Sequence, residues 1–575
     1  MKKILASMLC VVMLIAMPGT VCAEPDEHGN EIALSPETIL SGDKANDSRP
    51  GDENGEPPPE DADISAAQAP CDCDAVPVIL LSGGHGALTE NYGQPDERWY
   101  YGIDMLGNLV RDAGPLLLRD VLPSLLTFNP SKFVDAAIRA FWAWVGPLEM
   151  LPDGASVKQL ERVDKDYEWR MGLDHWLNYH WGTFYRFPFD WRQSPFQIAD
   201  ELDAYVQMIK AHTGHAHVHI SSISGSSSPL LAYTEKYVNG VEDPDALSIV
   251  YSQPTAFGME LVGNFLNADY SMNPRNAGSL DYFYTLDLPP LVNTAMMSVM
   301  RGIYLLGVMN LLAIGTSFYP QAAFDRIYEE VTRRTYAAWP GMWSWCPPED
   351  YASARARLID GHPEYEQLGF LEKIDRYHAL QLRAGDVLRE AGRKIKVAAV
   401  AGYNMALLPL GKEKNDSSDG MVAVRKASLG AVAAPYRGRL PSGYAQAVDD
   451  GHNHLSLDRK IDASACALPE DTWFVRDMVH RGFYFLDGWY EWWRTAPKGE
   501  DTVFGNPEYP QFMRIENKTQ TDENMVLLPV TEEPDTFLET LRGFWYRVLS
   551  ASFDLLYSWA GVLRWPLGWF WRIWF

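Results

Sequence analysis

The first residues with the makings of chemistry lie in one run of small side chains, His217-Val218-His219-Ile220-Ser221-Ser222-Ile223-Ser224-Gly225-Ser226-Ser227-Ser228. A short β-rich segment, Val218 to Ser221, enters it, and a helix-like segment, Leu230 to Val238, leaves it. Strand, sharp turn and helix is the setting in which a serine is held on a strained turn with its hydroxyl presented for attack, usually as Gly-x-Ser-x-Gly. Ser222 and Ser226 occupy the two glycine positions and put Ser224 at the nucleophile position. Serine is the next smallest polar residue, so the steric requirement is met in weaker form, and the side chain of Ser226 is expected to crowd the end of the turn. A plain turn has the same composition. A nucleophilic serine therefore has to find its partners elsewhere in the chain: a base, an acid that holds the base, and donors for an oxyanion.

Candidates for each partner follow in order. The apolar run Val76-Pro77-Val78-Ile79-Leu80-Leu81 suits a buried parallel strand and leads into Ser82-Gly83-Gly84-His85-Gly86. A glycine turn there aims backbone N–H groups into a cleft, which makes the Gly84 amide one oxyanion donor and the Gly225 amide, just after the serine, the other. Asp416-Ser417-Ser418-Asp419-Gly420 offers two candidate acids, Asp416 and Asp419, and Asp449-Asp450-Gly451-His452-Asn453-His454 offers two candidate bases, His452 and His454. The chain order Ser, Asp, His is one of the orders in which such triads occur.

The elements that must position these residues alternate between strand and helix. Thr183 to Arg186 reads as a strand running into Phe187-Pro188-Phe189-Asp190-Trp191-Arg192. Pro195 to Thr213 is an amphipathic helix with Ile198, Leu202, Tyr205, Val206 and Ile209 on one face. Leu247 to Tyr251 and Ile395 to Val400 supply further strands. The pattern predicts an α/β fold with a mostly parallel sheet flanked by helices. Residues 92–165 read as a helical insertion, with Phe141-Trp142-Ala143-Trp144 suited to either an interface or a core. Residues 260–394 read as a cap or lid, including the apolar helical stretch Leu291 to Phe318. Thr472 to Val475 is expected to close the domain with a last helix.

Composition bounds the partners. The chain has 575 residues and a formal charge of −27, which excludes nucleic acid as a natural partner. Residues 1–23 have the basic start, apolar core and Val21-Cys22-Ala23 cleavage site of a signal peptide, so an exported, secreted or cell-surface protein is expected. Residues 24–74, acidic, with Pro57-Pro58-Pro59 and no aromatic residue before Cys71, read as a disordered linker. Cleavage would leave Cys71, Cys73, Cys346 and Cys466, with Cys346–Cys466 the preferred bridge if one forms. Cys71 and Cys73 are too close together to make a metal site by themselves, and no His or Cys partner lies nearby in sequence. No metal and no organic cofactor is indicated. The tail from Phe537 to Phe575 interleaves six Trp with Arg542, Arg547, Arg564 and Arg572, a pattern suited to a membrane interface.

Taken together the segments resemble the lecithin:cholesterol acyltransferase and lysosomal phospholipase family of α/β-hydrolases. The residues that carry the resemblance are Pro77 to Gly86, Asp190-Trp191-Arg192, Pro254-Thr255-Ala256-Phe257-Gly258, Ser418-Asp419-Gly420-Met421-Val422 and His454-Leu455. It departs from the family at the elbow, where Ile223 replaces a histidine and Ser226 a glycine. The resemblance implies an α/β-hydrolase domain over residues 75–485, followed by an irregular segment and helical tail over 486–575. It also implies Ser224 as nucleophile, Asp419 as acid, His454 as base, and the Gly84 and Gly225 amides as oxyanion hole. The implied activity is that of a serine esterase, lipase or O-acyltransferase acting on acyl esters, foremost lipids. A hydrolase-fold protein that has lost catalysis and serves in surface binding is the alternative.

Overall fold

The computed structural model describes residues 70–71, 73, 76–81, 88–91, 94–100, 107–121, 123–124, 130–162, 184–269, 325–407, 416–436, 438–480, 488–516 and 526–532. The expected signal peptide, most of the acidic linker, the stretch Leu291 to Phe318 and the Trp/Arg tail lie outside them.

A single eight-stranded sheet organises the chain. Its strands are β1 (Val78–Leu81), β2 (Phe184–Arg186), β3 (Val218–Ile223), β4 (Ala246–Ser252), β5 (Lys396–Tyr403), β6 (Thr472–Arg476), β7 (Phe512–Ile515) and β8 (Leu527–Pro529). They lie in the order β8-β7-β6-β5-β4-β3-β1-β2. All neighbours are parallel except β7 and β8. Central parallel strands are covered on both faces, and their sequences show it. Every residue of β1 and β3 is buried, as is all of β4 but Leu247 and all of β5 but Lys396. The antiparallel edge strand ends in Pro529, which has no N–H to offer and is tolerated at an edge.

The helices between these strands cover the sheet. Helix α1 (Pro130–Val145) lies in the insertion, α2 (Pro195–Thr213) joins β2 to β3, and α3 (Ser227–Tyr233) follows β3. Helix α4 (Pro340–Ser344) and helix α5 (Phe370–Gln381) pack on each other and on α2, and α6 (Ala384–Lys394) leads into β5. The apolar face expected for α2 is the buried one: Ile198, Leu202, Tyr205, Val206 and Ile209 all lie in the core. In α1, Phe141 and Trp144 are core residues and half-buried Trp142 lies under the Arg334 guanidinium, so the aromatic cluster packs within the protein.

Three expectations are corrected. Thr472 to Val475 is a strand, not a helix, because its β-branched and aromatic side chains fill a fully buried slot between β5 and β7. The sheet therefore runs on through Pro529, beyond the boundary expected at residue 485, and β7, β8 and a helix at Trp489–Thr495 belong to it or pack on it. Cys346 and Cys466 are separate buried thiols rather than a bridge, and burial pushes the Cys466 thiol up to about 12.

The Asp-Trp-Arg segment after β2 is a structural hub. The buried Arg192 guanidinium donates to both Asp190 carboxylate oxygens at 3.0 and 2.8 Å, and to Leu148 O and Ser156 Oγ in the insertion. Its carbonyl accepts from Gly341 N at the start of α4. A Cβ on Gly341 would sit 1.9 Å from the Trp191 carbonyl oxygen, so the close approach requires glycine. Trp339 Nε1 donates to the same Leu148 O. Three segments distant in sequence thus meet on one ion pair. Arg192→Ala should cost roughly 3 kcal/mol of stability, the scale of breaking a buried pair from one side, read as a fall in the denaturation midpoint. Arg192→Lys, which cannot form the two-pronged contact, should recover only part of it.

Candidate functional site

Strand β3 ends at Ile223, and the chain turns at once into α3. Ser224 takes φ +52°, a left-handed conformation that a non-glycine residue adopts at a cost of about 1–2 kcal/mol. Two neighbouring serines hold it there. Ser226 Oγ accepts from Ile223 N at 2.9 Å, and lies 2.5 Å from Leu81 O and 2.7 Å from Ile223 O, either of which can take its proton. Ser227 Oγ donates to Ser224 O at 2.5 Å and accepts from Thr255 N and Ala256 N, both at 3.0 Å. The first serine bonds the turn to the end of β1 and the second bonds it to the loop after β4. Ser226 was expected to crowd the turn; its hydroxyl instead bonds it closed. Gly225 has to be a glycine, since a Cβ would lie 2.6 Å from the Trp345 ring, whose Nε1 donates to Gly225 O.

Asp419 lies beyond β5, just after a two-residue strand at Ser417–Ser418. It is fully buried. One carboxylate oxygen accepts from Met421 N and Val422 N at 2.9 and 2.8 Å. The other lies 2.8 Å from Nδ1 of His480. Close backbone packing makes this possible: a Cβ on Gly402 of β5 would approach Asp419 Cβ to 2.8 Å and Met478 O to 2.6 Å.

His480 stands four residues past the end of β6, also buried. Its amide donates to Asp419 O, and the preceding carbonyl, Val479 O, accepts from Gln253 Nε2 at 2.6 Å. Nε2 of the ring lies 2.7 Å from Ser224 Oγ. With the Nδ1 proton directed at Asp419, Nε2 is left as an acceptor facing the serine hydroxyl. Serine, imidazole and carboxylate form one continuous hydrogen-bonded line at the carboxyl end of the sheet. The line sits beside β1 and β3, where the order of strands reverses, and such switch points are where clefts open in parallel sheets.

The structure thus brings together two of the three residues expected from sequence, Ser224 and Asp419, and replaces the third. His454 is buried elsewhere: Nδ1 lies 2.8 Å from Gln511 Oε1 and Nε2 3.0 Å from Asp450 Oδ2, so both ring nitrogens are occupied away from Ser224. It sits next to a short antiparallel pairing of Leu455 with Asp462, not at the end of a sheet strand. Its rival His452 is exposed against Phe504 and Glu470. Asp416 lies near the Arg425 guanidinium, away from the line. Gly225 is in place after the serine, while Gly84 lies outside the described residues. The missed signal was a strand pattern. Thr-Trp-Phe-Val-Arg followed within four residues by a histidine places an imidazole at the carboxyl edge of the sheet, a signal hidden when the segment is taken as a closing helix.

No family model matches the sequence, and no curated protein matches it. Among solved structures, a chain in a crystal structure of the Tle4–Tli4 complex is similar at 13% identity, covering 57% of this chain and 74% of that one, with a TM-score of 0.22. A likeness at that level carries no argument about this protein.

Two substitutions separate the histidines. His480→Ala should abolish reaction of Ser224 with a fluorophosphonate, while His454→Ala should leave labelling in place and lower thermal stability by removing a buried, doubly bonded side chain. Ser226→Gly should lower stability by about 1–2 kcal/mol, the scale of losing a buried hydrogen-bonded hydroxyl, and should slow labelling rather than improve it.

Proposed function

We propose that the protein is a serine hydrolase of the α/β-hydrolase type, acting on acyl esters through Ser224, His480 and Asp419. The observation that carries this reading is the 2.7 and 2.8 Å pair of contacts on His480, with the serine in a left-handed turn between a buried parallel strand and a helix. A strained serine of this kind, followed in chain order by its acid and then its histidine, is the arrangement of that enzyme class. Strain kept at one residue by several dedicated hydrogen bonds is also more common at functional positions than elsewhere.

In the reaction, Ser224 Oγ forms a bond to the acyl carbonyl carbon as its proton passes to His480 Nε2. Asp419 holds the ring in the required tautomer and stabilises the imidazolium. The developing oxyanion takes a hydrogen bond from the Gly225 amide. Collapse of the tetrahedral species breaks the ester C–O bond, and His480 returns the proton to the departing alcohol. Water, or a second alcohol in a transferase, then repeats the sequence on the acyl-enzyme.

Buried tryptophans brace the serine turn: the Trp345 indole lies against Gly225 and stacks on Trp191 at 6.3 Å, which in turn meets Trp339 edge-on at 5.0 Å. Lipid acyl esters are the substrate class that the family resemblance implies. We further propose that the enzyme is exported and works at a lipid surface reached through its Trp/Arg-rich tail. Among the described residues no helix is long and apolar enough to cross a membrane.

A fluorophosphonate probe should label the full-length chain at one serine, and the Ser224→Ala variant should take up none. Ester turnover should be lost in Ser224→Ala and His480→Ala to a similar degree, because triad members act as a unit. Asp419→Asn should lower kcat by up to about 10⁴ through the wrong tautomer. A folded chain that takes no label and turns over neither short nor long acyl esters with lipid interfaces supplied would overturn the proposal in favour of a binding role.

A further inference from the structure

The opposite edge of the same sheet gathers a second set of reactive side chains. Strands β1 and β3 are adjacent and parallel, with Val78 paired to His219. Cys73 precedes Val78 by five residues, and His215 precedes His219 by four, so the register delivers both to the amino-terminal edge. The Cys71 amide donates to Gly214 O at 2.9 Å. Gly214 is the left-handed residue that ends α2, at φ +72°. That contact docks the Cys-x-Cys segment onto the helix terminus, immediately beside His215.

The resulting geometry is that of a ligand set. Cys71 Sγ lies 3.2 Å from Cys73 Sγ, Cys73 Sγ lies 3.4 Å from His215 Nε2, and the three ligand atoms all lie within 4.8 Å of one another. A tetrahedral zinc ion with Zn–S of about 2.3 Å and Zn–N of about 2.0 Å separates its ligand atoms by roughly 3.5–3.8 Å. Each of the two measured separations is within about half an ångström of that spacing. The neighbouring His219 serves another purpose. Burial, reinforced by Arg494, pushes it down to about 3, and its Nδ1 lies 2.7 Å from Ser248 Oγ inside the sheet. The helix end contributes as well, since the carboxyl terminus of a 19-residue helix carries partial negative charge that favours a cation.

We propose that Cys71, Cys73 and His215 bind a zinc ion, with water in the fourth position, as a staple between the entering chain and the α2–β3 turn. Two thiolates and one imidazole suit a borderline-soft d¹⁰ cation and discriminate against calcium and magnesium, which take oxygen ligands. Binding releases the two thiol protons, so occupancy falls in acid. The site is separated from Ser224 by the whole length of β3, about 20 Å of strand. It therefore acts on stability and on where the amino-terminal segment leaves the body, not on ester chemistry. Closing a loop of 142 residues between Cys73 and His215 restricts the unfolded chain far more than the folded one.

The test is metal analysis of the full-length chain, reduced, incubated with zinc sulfate and desalted. About one zinc per chain is expected, together with a higher thermal midpoint than after chelation. The double variant Cys71→Ser/Cys73→Ser and the single variant His215→Ala should each lose the bound zinc and the chelator-sensitive part of the midpoint. Unchanged far-ultraviolet circular dichroism in both establishes that they fold. His217→Ala, two residues away, should keep the metal. Cobalt substitution should give thiolate-to-metal charge-transfer absorption in the wild type and in His217→Ala, and none in the Cys71→Ser/Cys73→Ser variant. Wild-type protein that retains no zinc, or His215→Ala that retains as much as wild type, would overturn the proposal.

Discussion

The backbone of Ser224 is the constraint on which the rest of the site depends. Its φ of +52° sends the chain from β3 into α3 within a single residue and leaves the hydroxyl pointing out of the carboxyl edge of the sheet. A left-handed serine does not hold itself. Ser226 ties the turn back to β1, Ser227 ties it forward to the loop after β4, and Trp345 closes over Gly225. Each hydrogen bond contributes on the order of 1 kcal/mol, enough together to offset the strain. Ser226 and Ser227 thus each have a physical cause in this stretch. Small residues fit the turn, and their hydroxyls supply the bonds that keep it.

The two partners of Ser224 are positioned by the same sheet through a different device. Asp419 and His480 stand on separate loops beyond the adjacent strands β5 and β6, so parallel pairing brings those loops to one edge without any local contact between them in sequence. Close backbone approach at Gly402 and the reach of Gln253 to Val479 O then set the distance. The Asp190–Arg192 pair plays the corresponding part for the buried tryptophans. It fixes the segment bearing Trp191 against Leu148 and against α4, and Trp191 in turn supports Trp345 beside Gly225. The ion pair is a positioning element two contacts removed from the serine.

Much of this was legible in the residues alone. The alternation of buried apolar runs with amphipathic helical spacing gave the parallel sheet, because most strands covered on both faces read as apolar runs. The burial of α2 followed from its period. Ser224 was legible because small residues surround it, as its backbone shape requires, and Asp419 was legible through the family resemblance of Ser418 to Val422.

The place of His480 beside Ser224 and the cysteine cluster were not legible, for one shared reason. A histidine has no local backbone requirement, so His454 and His480 look alike in sequence; only sheet order puts His480 beside Ser224 and leaves His454 bonded to Gln511 and Asp450. In the same way Cys71 and Cys73 lack a partner nearby in the chain, and the register of β1 on β3 supplies one from 142 residues away. What the sequence by itself determined is what short-range sterics and hydrophobic period encode: the fold class, the strained serine and the acid turn. What only the tertiary structure decided is which distant side chains share an edge of the sheet, since that depends on strand order and register, which are properties of the whole chain packing at once.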